Sequence, residues 1–248
     1  MIPNFKLIYI LLLTFYFKQF STKAQAIIDL ETGVVVTGKN DIRIPNDFGT
    51  LFSLKNDLKA QIKIFYRLRA TCRLLSRHTI SLLYAPLKIS SLGQSSNGLL
   101  FNDVLFDTNS VIKSLYKFNS YRLTYRYDVI TQNNIFFGIG LTAKIRDAYI
   151  CLYSNKQTST RKDIGFVPLI NFDLLWKIND PLGIILNGDA LFLSRGRAAD
   201  IQLAITYRFS DSTKIRIGYR MLEGGTNSAS SYTFAFFHYA SLGFNYSF

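Results

Sequence analysis

The residues on which most enzyme chemistry depends are scarce in this chain, which holds two histidines, two cysteines and one tryptophan. His78 and His238 stand far apart, with no GxSxG, HExxH or zinc-spaced Cys/His pattern and no glycine-rich phosphate loop. Their absence removes the usual signatures of acyl transfer, metalloprotease and nucleotide chemistry. Long apolar runs are lacking too. Beyond Phe17 no segment approaches 18 uncharged apolar residues, so no membrane-spanning helix is expected there. Acids are few, 16 against 29 Lys and Arg, for a formal charge of +13. Such a balance points to nucleic acid or an anionic membrane, and the direction in which the cations face decides between them. Aromatic residues, by contrast, are plentiful: 21 Phe and 15 Tyr, 15% of the chain with the single Trp. That content, with scattered charge, favours strands over helices.

The N-terminus has the order of a secretory signal peptide. A short segment with one cation, Lys6, precedes the apolar run Leu7 to Phe17, and Ala24-Gln25-Ala26 supplies a small-x-small cleavage pattern. The run is shorter than the roughly 17–25 residues of a spanning helix, and Lys18 stops it. The expected division is residues 1–26 as signal peptide, exported by the Sec pathway, and 27–248 as the mature domain. Removing Lys6, Lys18 and Lys23 lowers the positive charge by three.

In the mature part, runs with one apolar and one charged phase recur. From Ala60 to Thr71, one phase reads Ala60, Ile62, Ile64, Tyr66, Leu68, Ala70 and the other Gln61, Lys63, Phe65, Arg67, Arg69, Thr71. The same split follows around Ile139, Leu174, Ile205 and Ile217. A period of two is that of a strand with two unlike faces. Ten strands are predicted, at 28–37, 59–71, 77–87, 113–127, 135–152, 164–178, 184–193, 199–209, 214–222 and 232–248. Short turns at 72–76, 128–134, 179–183 and 210–213 alternate with longer connections at 38–58, 88–112, 153–163 and 223–231. This is the plan of an antiparallel transmembrane barrel, with eight or twelve strands as alternatives. The segments 38–58 and 88–112 have room for a hairpin, a strand extension or a plug. Soluble sandwiches also alternate, but with charge outward. Here the apolar phases are large and free of charge, and aromatics (Tyr125, Tyr127, Trp176, Tyr207, Phe209, Tyr246, Phe248) gather near the short turns, as an interfacial girdle would. A one-residue slip of the second strand would put Lys63, Arg67 and Arg69 into lipid, at about 2–4 kcal/mol each near the midplane. On this map Cys72 and Cys151 lie at opposite ends of the barrel, too far apart to bridge.

The last strand ends Leu242-Gly243-Phe244-Asn245-Tyr246-Ser247-Phe248, apolar at every second position and closed by Phe. With the signal segment and the alternation, it resembles the small outer-membrane β-barrel proteins of Gram-negative bacteria. No subfamily is indicated. The resemblance implies residence in the outer membrane, contact with its lipids and lipopolysaccharide, and recognition by the barrel-assembly machinery through the strand ending at Phe248.

The inner phase then holds a lumen charge network: Asp29, Glu31, Lys63, Arg67, Arg69, Arg122, Arg126, Lys144, Arg146, Asp173, Lys177, Arg208 and Arg216. Asp29 and Glu31 are expected beside Arg67 and Arg69, and Asp173 at a depth similar to Lys144. Two roles suit the set, a structural salt-bridge plug or a narrow anion-tolerant pore with a basic lumen. A second group, Asp189, Arg197, Asp200, Arg220 and Glu223, joined by Arg195, is expected to converge toward the long-loop rim. It could bind a sugar or headgroup at an extracellular mouth. The leading reading is a non-enzymatic outer-membrane protein; the alternative is an enzyme modifying lipid A or surface polymers, as some barrels of this class are. Both histidines share a phase with apolar residues and are expected to face lipid. No cofactor or metal is called for, and inward cations argue against nucleic acid.

Overall fold

The computed structural model describes residues 25–193 and 196–248. Almost all of it is antiparallel sheet. The strands are β1 (Gln25–Arg43), β2 (Phe52–Ser53), β3 (Lys63–Leu74), β4 (His78–Ala85), β5 (Lys88–Gln94), β6 (Leu99–Phe101), β7 (Val104–Phe106), β8 (Val111–Thr131), β9 (Ile135–Tyr153), β10 (Thr158–Lys177), β11 (Leu182–Leu193), β12 (Gly196–Arg208), β13 (Thr213–Asn227) and β14 (Tyr232–Ser247). Each long strand pairs with its neighbours in chain order, and β14 pairs back onto β1, so the sheet closes. β4 and β5 both pair with β8 and form one interrupted stave; β2 is an appendage on β1. Among the described residues the barrel therefore has ten staves, and closure leaves its wall without an open edge.

The ten predicted strands coincide with these staves, although several run further. β10 begins at Thr158 and β13 ends at Asn227, so most of 153–163 and 223–231 is strand, not loop. The expected signal-peptide boundary after Ala26 falls inside β1. Gln25 and Ala26 pair with Arg73 and Cys72, and the Phe248 amide donates to the Ala26 carbonyl. The preceding part of that segment, residues 1–24, lies outside the described residues.

The alternation orients the wall. Ile64 and Leu141 are 82% and 69% exposed, whereas Arg67 and Arg122 are each 4% exposed. Along β10 the outward residues run Ile164, Phe166, Pro168, Ile170, Phe172, Leu174, Trp176. At about 3.3 Å per residue and a tilt near 40°, that is roughly 30 Å of apolar wall, a bilayer's hydrocarbon thickness. His78 and His238 face outward as expected, hydrogen-bonded through Nδ1 to the Tyr125 and Tyr219 hydroxyls at 2.8 and 2.7 Å. Both cysteines are free.

One feature of the inner wall departs from the alternation rule. Gly33 on β1 has φ +142°, a backbone conformation glycine tolerates. A Cβ there would lie 2.0 Å from the Ala240 carbonyl oxygen and 3.2 Å from the Phe65 ring. Phe65 fills the missing side chain's place and meets Tyr239 edge-on at 4.8 Å.

Candidate functional site

The bore has three levels. At its waist, inward side chains form a closed ionic plate of four guanidinium groups and four carboxylates. β12 places Asp200 at its centre. Its carboxylate accepts from Arg67 of β3 (2.9 Å), Arg122 of β8 (2.5 Å) and Arg220 of β13 (2.6 Å). Arg220 also grips Glu31 of β1 side-on, Nε and Nη2 donating at 2.8 and 2.9 Å. Arg216 bonds both Asp29 and Glu31 at 2.9 Å. Arg122 bonds Asp189 of β11 at 2.7 Å, and Thr142 and Asn171 donate to the other oxygen of Asp189 at 2.6 and 2.8 Å. The planar guanidinium fork satisfies two carboxylate oxygens at once, which is why arginine, not lysine, occupies these positions. Arg216 needs room to reach them: a Cβ on Gly243 would sit 2.5–2.7 Å from its side-chain atoms.

Above the plate, toward the long-loop rim, the bore is apolar. Segments 44–62 and 95–110 fold inward as a cap. Ile42, Phe52, Leu54, Leu58, Leu99, Phe101 and Phe106 pack there against Val35, Ile112, Tyr116, Leu152 and Phe237 of the wall. Phe52 and Phe101 meet edge-on at 5.9 Å. The two cap segments are stitched by Asn102 N to Ile44 O (2.9 Å), Thr50 N to Leu100 O (3.0 Å) and Leu100 N to Thr50 Oγ1 (2.9 Å). The long connections thus contain both a strand extension, β5, and a hairpin, β6–β7.

Below the plate, toward the short-turn rim, an open chamber of about 450 Å³ remains. Arg126 bonds Asp173 at 2.6 Å and Asp128 at 3.2 Å. Arg208 pairs with Asp180, and the Lys177 ammonium sits 4.7 Å over the Phe136 ring.

The thirteen residues expected in the lumen are therefore divided. Asp29, Glu31, Arg67, Arg122 and Arg216 belong to the plate, while Arg69, Arg126, Asp173, Lys177 and Arg208 line the chamber. Lys144 is buried, its ammonium 4.8 Å over the Phe118 ring. Arg146 pairs with Asp163. Lys63 lies at the upper end of β3 opposite Val35. Asp29 and Glu31 do stand directly opposite Arg69 and Arg67, yet their hydrogen bonds run to β13. Asp173 is not level with Lys144: the first pairs with Gly138, the second with Val167.

The five residues expected at the long-loop mouth are not brought together there. Asp189, Asp200 and Arg220 are in the buried plate. Arg197 and Glu223 pair at 2.6 Å on the outer wall, where Arg197 also covers the Phe234 ring at 5.2 Å. Arg195 lies outside the described residues. Short-range alternation assigns a face but not a depth, so plate and mouth look alike in the sequence. The alternatives open for 38–58 and 88–112 in the sequence include a plug, and the cap is that plug. Its signal is loss of alternation near the long loops, as in Tyr149-Ile150-Cys151-Leu152-Tyr153 and Phe234-Ala235-Phe236-Phe237, where both faces are apolar.

An apolar exterior of bilayer height around a polar, charge-lined bore, in an even-staved antiparallel barrel, defines an outer-membrane β-barrel protein. The fold is shared with the Escherichia coli outer-membrane protease OmpT, at TM-score 0.53 and 10% identity over 90% of this chain and 97% of that one. Looser likenesses are to the attachment invasion locus protein Ail of Yersinia pestis (TM-score 0.41, 10% identity, 90% of this chain and 99% of that one). The translocator domain of the autotransporter NalP from Neisseria meningitidis is another (TM-score 0.46, 9% identity, 99% and 95%). At such identities the likeness concerns the fold alone. No protein-family model matches the chain, and no curated protein matches it in sequence.

Proposed function

We propose that this protein is a closed, non-enzymatic barrel of the outer membrane, with a structural role and no through-going pore. The observation that carries this reading is the double closure of the bore: a buried, cross-linked ionic plate, and above it an apolar cap with side chains such as Phe101 and Leu54 essentially without exposure. Neither layer offers an ion a hydrated path: the plate's four guanidinium groups are matched by four carboxylates, and the one further buried cation beside it, Lys144, is covered by the Phe118 ring. The two buried aspartates of the plate, Asp189 and Asp200, are each held by arginine, which keeps them as ion-pair partners rather than as a poised acid and base.

Its neighbours follow from the outer wall. Just above the apolar band, Lys88 stands opposite Lys117, and Lys117 and Lys162 both flank Tyr149. Lys117 is itself paired with Asp147 at 2.6 Å, so it is Lys88 and Lys162 beside that pair that suit the phosphates of lipopolysaccharide. β14 and the Phe248 that follows it present the apolar series Leu242, Phe244, Tyr246 and Phe248 to the bilayer, as suits handling by the assembly machinery.

Planar-bilayer recording of the purified protein tests the reading, with no stable conductance steps expected. A reproducible anion-selective step would restore the pore. Lipid A mass spectra are expected to be the same with and without the protein; altered acylation would make it an enzyme.

A further inference from the structure

The chamber at the short-turn rim carries charge that the closed barrel does not use. Its acids are already taken: Asp29 by Arg216, Asp128 and Asp173 by Arg126, Asp180 by Arg208. Arg69, Arg73, Arg77, Lys177 and Lys214 also line it and make no ion pair among the described residues. They enter from β3, the turn after it, β10 and β13, staves three to four places apart around the ring of ten. They nevertheless converge, since all five line the same chamber. Gathering like charges in a concave site walled by protein and lipid raises their mutual repulsion and focuses a positive potential into the cavity. Apart from the Lys177 contact with the Phe136 ring, the fold gains no ion pair from these five among the described residues. A counter-anion would relieve it.

From this geometry we infer that the periplasm-facing chamber is a binding site for a small phosphate-bearing anion. The volume, about 450 Å³, accommodates a solute of a few phosphate groups. Arginine forks from β3 match phosphate oxygens bidentately, and the lysines add point charges from the facing wall. A ligand spanning both walls therefore carries at least two anionic oxygens on separate edges. The plate closes the inner end, so the site binds and releases on one side only. The phosphate could arrive on a soluble solute or on a lipid headgroup of the inner leaflet.

Calorimetric titration of the folded full chain in zwitterionic detergent at low ionic strength separates these cases, with inorganic pyrophosphate as the soluble probe. Saturable binding at one site is expected, weakening as salt is added. Lys177→Gln combined with Lys214→Gln should weaken it by about tenfold or more, equivalent to at least one well-placed ionic contact. Lys177→Arg with Lys214→Arg should retain it. Neutralising Lys55 and Lys59, exposed in the cap on the far side of the plate, should leave it unchanged. Heat-modifiable gel mobility checks that each variant is folded, and Arg77→Gln, in the turn, replaces the double variant if that one fails to fold. In a second arm, native mass spectrometry reads retention of phosphatidylglycerol from mixed micelles. Charge-dependent retention of lipid without pyrophosphate binding assigns the site to a headgroup. Absence of saturable binding in both arms, or binding indifferent to the lysine substitutions, overturns the inference. Conductance does not enter this test, so its outcome stands apart from that of the closed-barrel reading.

Discussion

Asp200 concentrates the electrostatics of this molecule in one side chain. It is 2% exposed and accepts from three arginines on three staves. Desolvating so many charges is expensive, and the plate holds because nearly every charge has a partner on good geometry. Removing the hub leaves three guanidinium groups repelling one another in a dry bore. Asp200→Ala is therefore expected to lower stability by about 3–5 kcal/mol, read as a fall in the urea midpoint of the folded barrel in detergent. Arg208→Ala removes a pair at the wet rim, where screening and side-chain entropy leave about 1 kcal/mol or less. Equal shifts in the two midpoints would contradict the view of the plate as a dry cross-brace. Alternation in the sequence already placed Arg67, Arg122, Glu31 and Arg216 on the inner face, because the pleat is local. Pairing Arg122 with Asp189 and Asp200, far apart in sequence and across the bore, depends on closure.

At the scale of elements, the cap and the plate are closures in series with different physics. The cap is an apolar core of the kind found in soluble domains, with Phe101, Phe106 and Leu58 at 0% exposure. Phe101→Ala is expected to cost about 3–5 kcal/mol of local stability. The underlying staves should stay intact, because their ladders continue from β1 to β14 without the cap. Limited proteolysis is the readout: cleavage after Lys55 and Lys59, both exposed within the cap, should quicken while the barrel fragment stays heat-modifiable. Deleting 95–110 should still leave the bilayer sealed, since the plate remains. A conductance gained by that deletion alone would show that the plate leaks. The existence of the staves was legible from period-two patterning. The cap was legible only as one alternative, a plug in 38–58 or 88–112, because segments such as 44–62 have no regular period, and their apolar residues become core only where the barrel wall meets them.

For the whole molecule, the two native thiols report orientation. Cys72 lies near the end of β3 at the short-turn rim, and Cys151 lies toward the long-loop end of β9, opposite Leu115 and Thr160. A membrane-impermeant maleimide added to intact cells is expected to label Cys151 and spare Cys72, with both labelled after lysis, scored by mass of the modified peptides. Labelling of Cys72 in intact cells would invert the assigned topology. Sidedness matters here because it places the basic chamber toward the periplasm and the cap toward the exterior.

The sequence by itself determined the strands, the outward and inward faces and thereby the solvent, since each rests on neighbours a residue or two apart and on the large cost of putting arginine into hydrocarbon. Only the tertiary structure decided how deep each inward charge lies, which arginine meets which carboxylate, and that the far end of the bore is stoppered. Those depend on closing β14 against β1 and on long connections folding back inside, contacts between residues that no local pattern relates.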